Sequence, residues 1–154
     1  MYQKILVPLD GSELAECVLP HLGKIAGSGG VGQIVLFRVC EPPIILADYP
    51  ANLRTQWEDH VRQETAHIQQ QCRLYLDDIE KKLKEAGYQV ATEAGLGNAA
   101  ELIVDYAVHN GVDLIIMASH GRSGITRWAY GSTADKVLQA SPVPVLVVKA
   151  RECK

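Results

Sequence analysis

Apolar runs and amphipathic segments alternate along this chain, and the alternation is typical of an α/β fold. The apolar runs predict five strands, at Lys4–Leu9, Gln33–Val39, Tyr88–Ala94, Leu114–Ala118 and Val143–Val148. The segments between them predict four helices, at Glu13–Ala26, Leu53–Ala86, Ala99–Asn110 and Thr133–Ala140. Because buried parallel strands appear as apolar runs joined by helical crossovers, we predict a parallel sheet covered by helices.

The predicted helices carry signals for where they bend and where they end. Pro20 is expected to kink the first helix, because proline removes a backbone N–H donor. The second helix has apolar residues at helical spacing, at Leu53, Trp57, Val61, Ile68, Cys72, Ile79 and Leu83. Gly87 is expected to end this helix. A glycine-rich turn at Gly27–Gly32 and an irregular stretch from Glu41 to Asn52 are the remaining connections.

Composition narrows the class of protein. A chain of 154 residues that is 47% hydrophobic fits one domain, 1–154, with a core that needs neither disulfides nor a metal. A net charge of −3 with no basic run argues against a nucleic-acid partner. No apolar run approaches the roughly 20 residues of a membrane helix, and the chain start lacks a signal-peptide pattern. We therefore expect a cytoplasmic protein without a membrane partner.

The cysteines show no spacing that would suit a metal. The chain has four of them, Cys17, Cys40, Cys72 and Cys153, with no CxxC pair and no histidine at zinc-ligand spacing. In a cytosolic protein the simplest expectation is that all four are reduced.

The loop after the fourth predicted strand has the chemistry of an anion site. Ala118-Ser119-His120-Gly121 is followed by nine residues and then by Gly131-Ser132-Thr133, where a helix is expected to begin. The loop contains Arg122 and Arg127 but no carboxylate. Glycines allow close approach of the backbone, and a helix N-terminus offers N–H donors to a phosphate. The pattern therefore predicts a phosphate site, to which His120 could also donate.

Asp10 and Ser132 each admit both a structural and a functional interpretation. Asp10 ends the first strand, where it could cap the first helix together with Glu13, or bind a ribose hydroxyl or an adenine amino group. Ser132 and Asp135 fit a capping box, and Ser132 could equally contact phosphate. Both interpretations stay open for each position at this stage.

Other glycine patterns are weaker. Gly27, Gly29 and Gly32 match G-x-G-x-x-G but follow a helix and precede a strand, which predicts a turn. The stretch Gly95–Ala100 does follow a strand and open a helix, but it comes after strand three. Asp113, about 20 positions further on, starts a strand instead of ending one. A tight turn into a helix is the favoured interpretation of this stretch.

Nucleophilic catalysis finds little support. Ser119 and His120 are adjacent, and neighbouring side chains in an extended segment point in opposite directions. Asp10 is the one obvious carboxylate near the proposed site, and no base or metal shell can be assembled around it. We therefore expect no catalytic residues, no protein metal site and no enzyme, with slow ATP hydrolysis as an alternative.

Four segments together resemble the universal stress protein family across essentially the whole chain. They are Lys4–Glu13, Asp113–Gly124, Tyr130–Val137 and Ser141–Val148. The family's nucleotide motif is G-x2-G-x9-G-[ST], and here Ala118 replaces its first glycine. The chain is similar to the ATP-binding branch of the family.

The resemblance implies a fold, a site and an assembly. The fold would be a single-domain three-layer α/β sandwich with a Rossmann-like, adenine nucleotide alpha hydrolase-like parallel sheet of order 3-2-1-4-5. Asp10 would contact the ribose or adenine, Pro8 and Leu9 would line the base, and the backbone of Val39 would meet the adenine. The ribose and phosphates would be surrounded by Ala118, Gly121, Arg122, Gly124, Gly131, Ser132 and Thr133. ATP would bind with Mg²⁺, and two copies would pair through Val143–Val148 as a homodimer.

Three hypotheses follow from different classes. The first is an ATP-binding stress protein that acts as a nucleotide sensor or regulator. The second is a slow ATPase or phosphotransferase, and the third is a nucleotide-independent interaction protein. The third would use the surface of the stretch at 40–52 and of the long helix.

Overall fold

A single parallel sheet organises the chain. The computed structural model describes residues 2–26, 32–43, 51–120 and 130–150. Within these residues the strands are β1 (Lys4–Leu9), β2 (Gln33–Cys40), β3 (Val90–Leu96), β4 (Leu114–Ala118) and β5 (Val145–Val148). The sheet order is β3-β2-β1-β4-β5, with every pair parallel. The predicted fold class and strand order are confirmed.

Helices cover both faces of the sheet. They are α1 (Glu13–Glu16), α2 (Leu19–Ala26), α3 (Arg54–Glu85), α4 (Ala99–His109) and α5 (Ser132–Ala140), with a short 3₁₀ turn at Ala51–Leu53. Alternate residues of the strands face two separate apolar clusters. One cluster joins Val7 and Leu36 to α1, α2 and α3, and the other joins Leu6 and Val35 to α4 and α5. The core therefore consists of two layers, one on each face.

The sheet order creates a ligand crevice in its middle. Strands β1 and β4 lie side by side, with Leu6 in register with Ile115. The chain leaves β1 towards α1 on one face and reaches α5 on the other face after β4. Where crossovers leave neighbouring parallel strands towards opposite faces, a crevice opens beyond the carboxyl ends of the strands.

The first predicted helix is two helices instead of one kinked helix. The α1 helix ends at Glu16, and α2 begins at Leu19, directly before Pro20. Pro20 has no N–H to donate to the carbonyl of Glu16, so a continuous helix would lose a hydrogen bond at this point. The chain therefore breaks over Cys17 and Val18.

The burial of α3 is confined to its middle and C-terminal turns. Its buried residues are Cys72, Leu76 and Ile79, whereas Leu53, just before it, is 41% exposed. A helix of 32 residues is about 48 Å long, while an eight-residue strand spans about 26 Å. The helix is thus longer than the strands it covers. The predicted stripe is buried only where α3 packs on β2 and β3.

Two cysteines form a disulfide. Cys40, the last residue of β2, is bonded to Cys72 in α3, with 6.6 Å between their Cα atoms. The expectation of reduced cysteines is wrong for this pair, because the packing of α3 on β2 brings two residues 32 apart in sequence together. Cys17 is buried and takes no part in this bond. Cys153 and most of the predicted turn at Gly27–Gly32 lie outside the described residues.

In the described part of the chain, no helix combines the length and the apolar character that a membrane span requires.

Candidate functional site

The carboxyl edge of the sheet holds a cleft of about 730 Å³. Strands β1, β2 and β4, the middle of α3 and the first turns of α4 and α5 contribute its walls. The sequence-predicted site residues that line it are Pro8, Leu9, Asp10, Val39, Ala118, His120, Gly131, Ser132 and Thr133. The other predicted residues, Gly121, Arg122 and Gly124, lie outside the described residues.

One part of the cleft is apolar. Phe37, Ile103 and Met117 line it, and each belongs to the cluster between the sheet and the helices α4 and α5. Pro8 and Ala100 complete this apolar part. Leu9 also lines the cleft, and its side chain packs in the opposite cluster. A flat aromatic base fits a lining of this kind.

The backbone of Val39 is positioned to pair with a ligand. Along a parallel strand, the N–H and C=O groups of successive residues point alternately to the two neighbouring strands. The carbonyl of Cys40 accepts from the Gly97 N–H on the β3 side at 3.3 Å, so the backbone groups of Val39 point towards β1. Yet β1 ends at Leu9, whose register partner is Arg38. In this register the Val39 N–H lies opposite the Leu9 carbonyl within the sheet, and the Val39 carbonyl faces the space beyond the end of β1.

The N-terminus of α5 lies at the other part of the cleft, and its cap differs from the predicted one. Gly131 is the cap residue and supplies no side-chain hydrogen bond. The predicted capping box of Ser132 and Asp135 is wrong, because the Gly131 N–H donates to the Ser119 carbonyl at 2.7 Å and starts the helix one residue earlier. Asp135 instead accepts from Gln139. The side chain of Ser132 is exposed at the cleft.

Close approach of two chain segments explains the glycine at position 131. A Cβ atom added to Gly131 would lie 3.2 Å from the Ser119 carbonyl oxygen and 3.4 Å from the His120 Cα. Both neighbours are backbone atoms and yield little. The glycine thus lets α5 start directly against the end of β4.

Asp10 does not cap the first helix. Ser12 is the cap residue, and its hydroxyl accepts from the Ala15 N–H at 3.2 Å. Asp10 lies two residues earlier and accepts from both the N–H and the hydroxyl of Ser12 through Oδ1, at 2.9 and 2.6 Å. The predicted cap of Asp10 with Glu13 is therefore wrong. A carboxylate that lines the cleft is a suitable acceptor for a ribose hydroxyl.

Ser119 and His120 are in contact, contrary to the sequence argument. The Ser119 Oγ lies 3.0 Å from the His120 Nδ1, and both residues are buried. The strand β4 ends at Ala118, so the alternation of an extended chain no longer separates the two side chains. The Ser119 hydroxyl also accepts from the Ala150 N–H at 3.0 Å. With a residue exposure of 4%, Ser119 is largely buried where it lines the cleft.

An arginine that sequence reasoning missed lies on the α3 side of the cleft. The guanidinium of Arg38 stacks on the Tyr75 ring, 4.5 Å from its centroid, and a Cβ at Gly11 would lie 2.7 Å from it. Gly11 has φ +85°, a conformation that favours glycine. The Tyr75 hydroxyl donates to Glu16 at 2.8 Å, and burial, followed by this bond, raises the pKa of Tyr75 above its usual range. The sequence signal for Arg38 was its charge within an otherwise apolar predicted strand.

Further charged and polar residues line the cleft, and no sequence motif predicts them. They are Glu41, His67, Gln71, Asn98 and Lys136. Glu41 adds a second carboxylate to Asp10, which corrects the expectation of a single one. The stretch Gly95–Ala100 is a turn into a helix, with Asn98 accepting from the Glu101 N–H at 3.2 Å. Among the described residues, no group of three potential ligands is placed to hold a metal ion.

Comparison with known proteins identifies the family. The model of the Universal stress protein family matches residues 1–149, so the chain belongs to this family. Universal stress protein MJ0577 of Methanocaldococcus jannaschii is 32% identical over 157 residues, which covers 98% of this chain and 97% of that protein. The solved structure of MJ0577 superposes with a TM-score of 0.82 at 30% identity over 99% of both chains.

Two other solved structures share the fold. The universal stress protein UspA from Lactobacillus plantarum has a TM-score of 0.72 at 25% identity, over 96% of this chain and 97% of that one. A family protein from Arabidopsis thaliana with AMP bound has a TM-score of 0.58 at 15% identity, over 97% of this chain and 93% of that one.

Proposed function

We propose that this cleft binds an adenine nucleotide, ATP with Mg²⁺, and that the protein acts as a nucleotide sensor or regulator in a stress response. The observation that carries the proposal is the cleft itself, which combines an apolar part with the N-terminus of α5. A base favours the apolar part, whereas a polyphosphate favours the N–H donors at the helix N-terminus.

The described residues suggest one arrangement of the ligand. The base lies among Phe37, Ile103 and Met117, with its edge at the backbone of Val39. The ribose lies over Asp10, and the phosphates reach the N–H groups at the start of α5, where the helix dipole favours negative charge. A family protein of the same fold with AMP bound supports the choice of adenine. Gly121, Arg122 and Gly124 are proposed to complete the phosphate site, as the family motif implies.

The Mg²⁺ ion is proposed to arrive with the nucleotide. The described residues hold no cluster of three metal ligands. Mg²⁺ commonly binds through the phosphates of its nucleotide and keeps several water molecules. The chain therefore needs no metal site of its own to bind Mg-ATP.

Calorimetric titration of the protein with Mg-ATP tests this function. We expect saturable binding at one site per chain, weaker binding of AMP, and weaker binding still of adenosine, because each ligand loses phosphate contacts. Mg-GTP serves as the matched ligand with another base. No heat of binding at millimolar Mg-ATP would contradict the proposal and favour the nucleotide-independent interaction protein.

Turnover is not part of the proposed function. The carboxylates that line the described part of the cleft are Asp10 and Glu41, and Asp10 is already bonded to Ser12. Among the described residues, no group of three potential ligands could hold a metal ion beside a catalytic base. A sensitive assay that finds ADP release, lost in Asp10→Ala, would contradict the expected lack of turnover.

We further propose a single domain, 1–154, that works in the cytoplasm. Cell fractionation can check the location.

We propose a homodimer through the exposed edge of β5. Within the described residues β5 pairs with β4 alone, and Leu146 on it is 41% exposed. An apolar edge strand of this kind favours pairing with a second copy. Light scattering at micromolar concentration should give twice the chain mass of 16.8 kDa. Leu146→Lys should give the monomer mass, whereas Leu74→Lys, at a 54% exposed residue of α3, should remain dimeric. A monomeric wild-type protein would contradict the proposal.

A further inference from the structure

Lys136 places a positive charge on the α5 side of the cleft. It lies in the second turn of α5 and is exposed, and it lines the cleft together with Ser132 and Thr133. The guanidinium of Arg38, which also lines the cleft, lies on the α3 side, stacked on Tyr75. Among the described residues, Lys136 is thus the lysine or arginine of the α5 wall.

Helix geometry puts this charge close to the two hydroxyl residues at the start of α5. At about 100° per residue, Lys136 lies about 40° from Ser132 and about 60° from Thr133 around the helix axis, between the two. It lies about 6 Å further along the axis than Ser132. Because the side chains of a helix lean towards its N-terminus, the flexible stem of the lysine can bring the ammonium group back towards these residues.

The charge of Lys136 is not used within the described part of the chain. No carboxylate there lies within ion-pair distance of its ammonium group, and no described group hydrogen-bonds to it. Asp135, its neighbour in sequence, accepts from Gln139 instead. In α3, by contrast, Lys82 and Lys84 each pair with a carboxylate four residues earlier. The ammonium group of Lys136 is therefore available to an anion in the cleft.

We propose that Lys136 makes the site sensitive to the number of phosphates, by pairing with the phosphates of the nucleotide beyond the first one. The inference rests on the proposed function, which supplies the nucleotide. The N–H groups at the start of α5 suit the phosphate that is attached to the ribose. An ammonium group on a flexible stem, one turn further on, suits the phosphates that follow. AMP leaves Lys136 in solvent, whereas ATP pairs with it, so the residue helps a nucleotide sensor to distinguish the two.

Lys136→Met tests this role, because methionine keeps most of the apolar stem and removes the charge. In calorimetry, Mg-ATP should bind about three- to tenfold more weakly than to the wild type, the range for a charge-assisted contact that water partly screens. AMP and adenosine should bind within about twofold of the wild type. Lys136→Arg, which keeps the charge, should retain most of the Mg-ATP affinity.

Two comparisons separate a direct contact from a general effect of charge. Lys24→Met removes the same charge from the last turn of α2, where Lys24 is exposed and is not part of the described lining of the cleft. Its Mg-ATP affinity should stay within about twofold of the wild type. The difference in Mg-ATP affinity between the wild type and Lys136→Met should shrink at about 1 M salt, where the screening length is about 3 Å.

The outcomes distinguish this inference from the proposed function. Equal Mg-ATP affinity in the wild type and Lys136→Met would overturn the inference and leave the proposed function standing. An equal loss for Mg-ATP and adenosine would also overturn it, because Lys136 would then act on the shape of the cleft. So would an equal loss of Mg-ATP affinity in Lys24→Met, because it would show an effect of net charge alone. A wild-type protein that does not bind Mg-ATP would instead refute the proposed function, and this inference with it.

Discussion

Ser132→Asp is expected to weaken Mg-ATP binding by at least about 100-fold while leaving the fold intact or slightly more stable. Ser132 is the first residue of α5, and its exposed side chain lines the cleft. A carboxylate there would repel the phosphates at a distance of a few ångströms. The same carboxylate lies at a helix N-terminus, where it interacts favourably with the dipole by about 0.3–1 kcal/mol. Binding and stability therefore change in opposite directions.

Three comparisons isolate the effect of charge. Ser132→Asn is nearly isosteric with Ser132→Asp and neutral, so it should bind Mg-ATP within a fewfold of the wild type. Adenosine has no phosphate, and its affinity should be the same for all three proteins. Gly131→Val is a poorer test, because its Cβ would press on the Ser119 carbonyl oxygen at 3.2 Å. Undiminished Mg-ATP affinity in Ser132→Asp would move the phosphates away from α5 and refute the proposed arrangement.

The architecture of the sheet could be predicted because its signals are local. The strands β1 and β4 are continuous apolar runs, and they end where the sequence predicts. Their order could not come from the runs themselves, since pairing between distant strands leaves no mark on either one. It came from the family resemblance, and the structure has the same order. Strand β3 begins at Val90, two residues later than predicted, where its pairing with Ile34 of β2 starts.

The candidate site was predictable as a set of segments but not as a set of contacts. Residues such as Asp10 and Ser132 were found because they stand at the ends of strands or the starts of helices. Which groups these residues contact depends on where each helix starts and each strand ends, to within about one residue. A helix that starts at Ser132 instead of Thr133 removes the capping box, and a strand that ends at Ala118 brings Ser119 and His120 into contact.

Residues contributed by α3 could not be found from motifs. The helix lies far from β2 in the sequence, and only its packing on the sheet brings His67 and Gln71 to the cleft. The stacking of Arg38 on Tyr75 has the same origin, since the two residues belong to different elements. Tertiary packing thus forms one wall of the site, which no sequence motif predicts.

The disulfide is the clearest result of that packing, and its removal should lower the free energy of unfolding by about 3 to 4 kcal/mol. Cys40 and Cys72 are separated by 32 residues, so the bond closes a long loop in the unfolded chain. In the chain-entropy model this closure restricts the unfolded state and so favours the folded one. Urea denaturation of the oxidised protein, compared with protein refolded and unfolded in a phosphine reductant, measures the difference.

The Cys40→Ser variant is the matched control, because reductant should leave its stability unchanged if this bond is the one that matters. Thiol titration of the unfolded protein without reductant supplies the chemical count. Of the four cysteines, two are in the bond, so two thiols should react. Four reactive thiols, or equal stability with and without reductant, would contradict the prediction.

Because Cys40 follows Val39 and both bonded cysteines line the cleft, the same samples can be titrated with Mg-ATP. A loss of affinity that matches the loss of stability would locate the instability in the wall formed by β2 and α3, whereas unchanged affinity would show that the cleft keeps its shape without the bond.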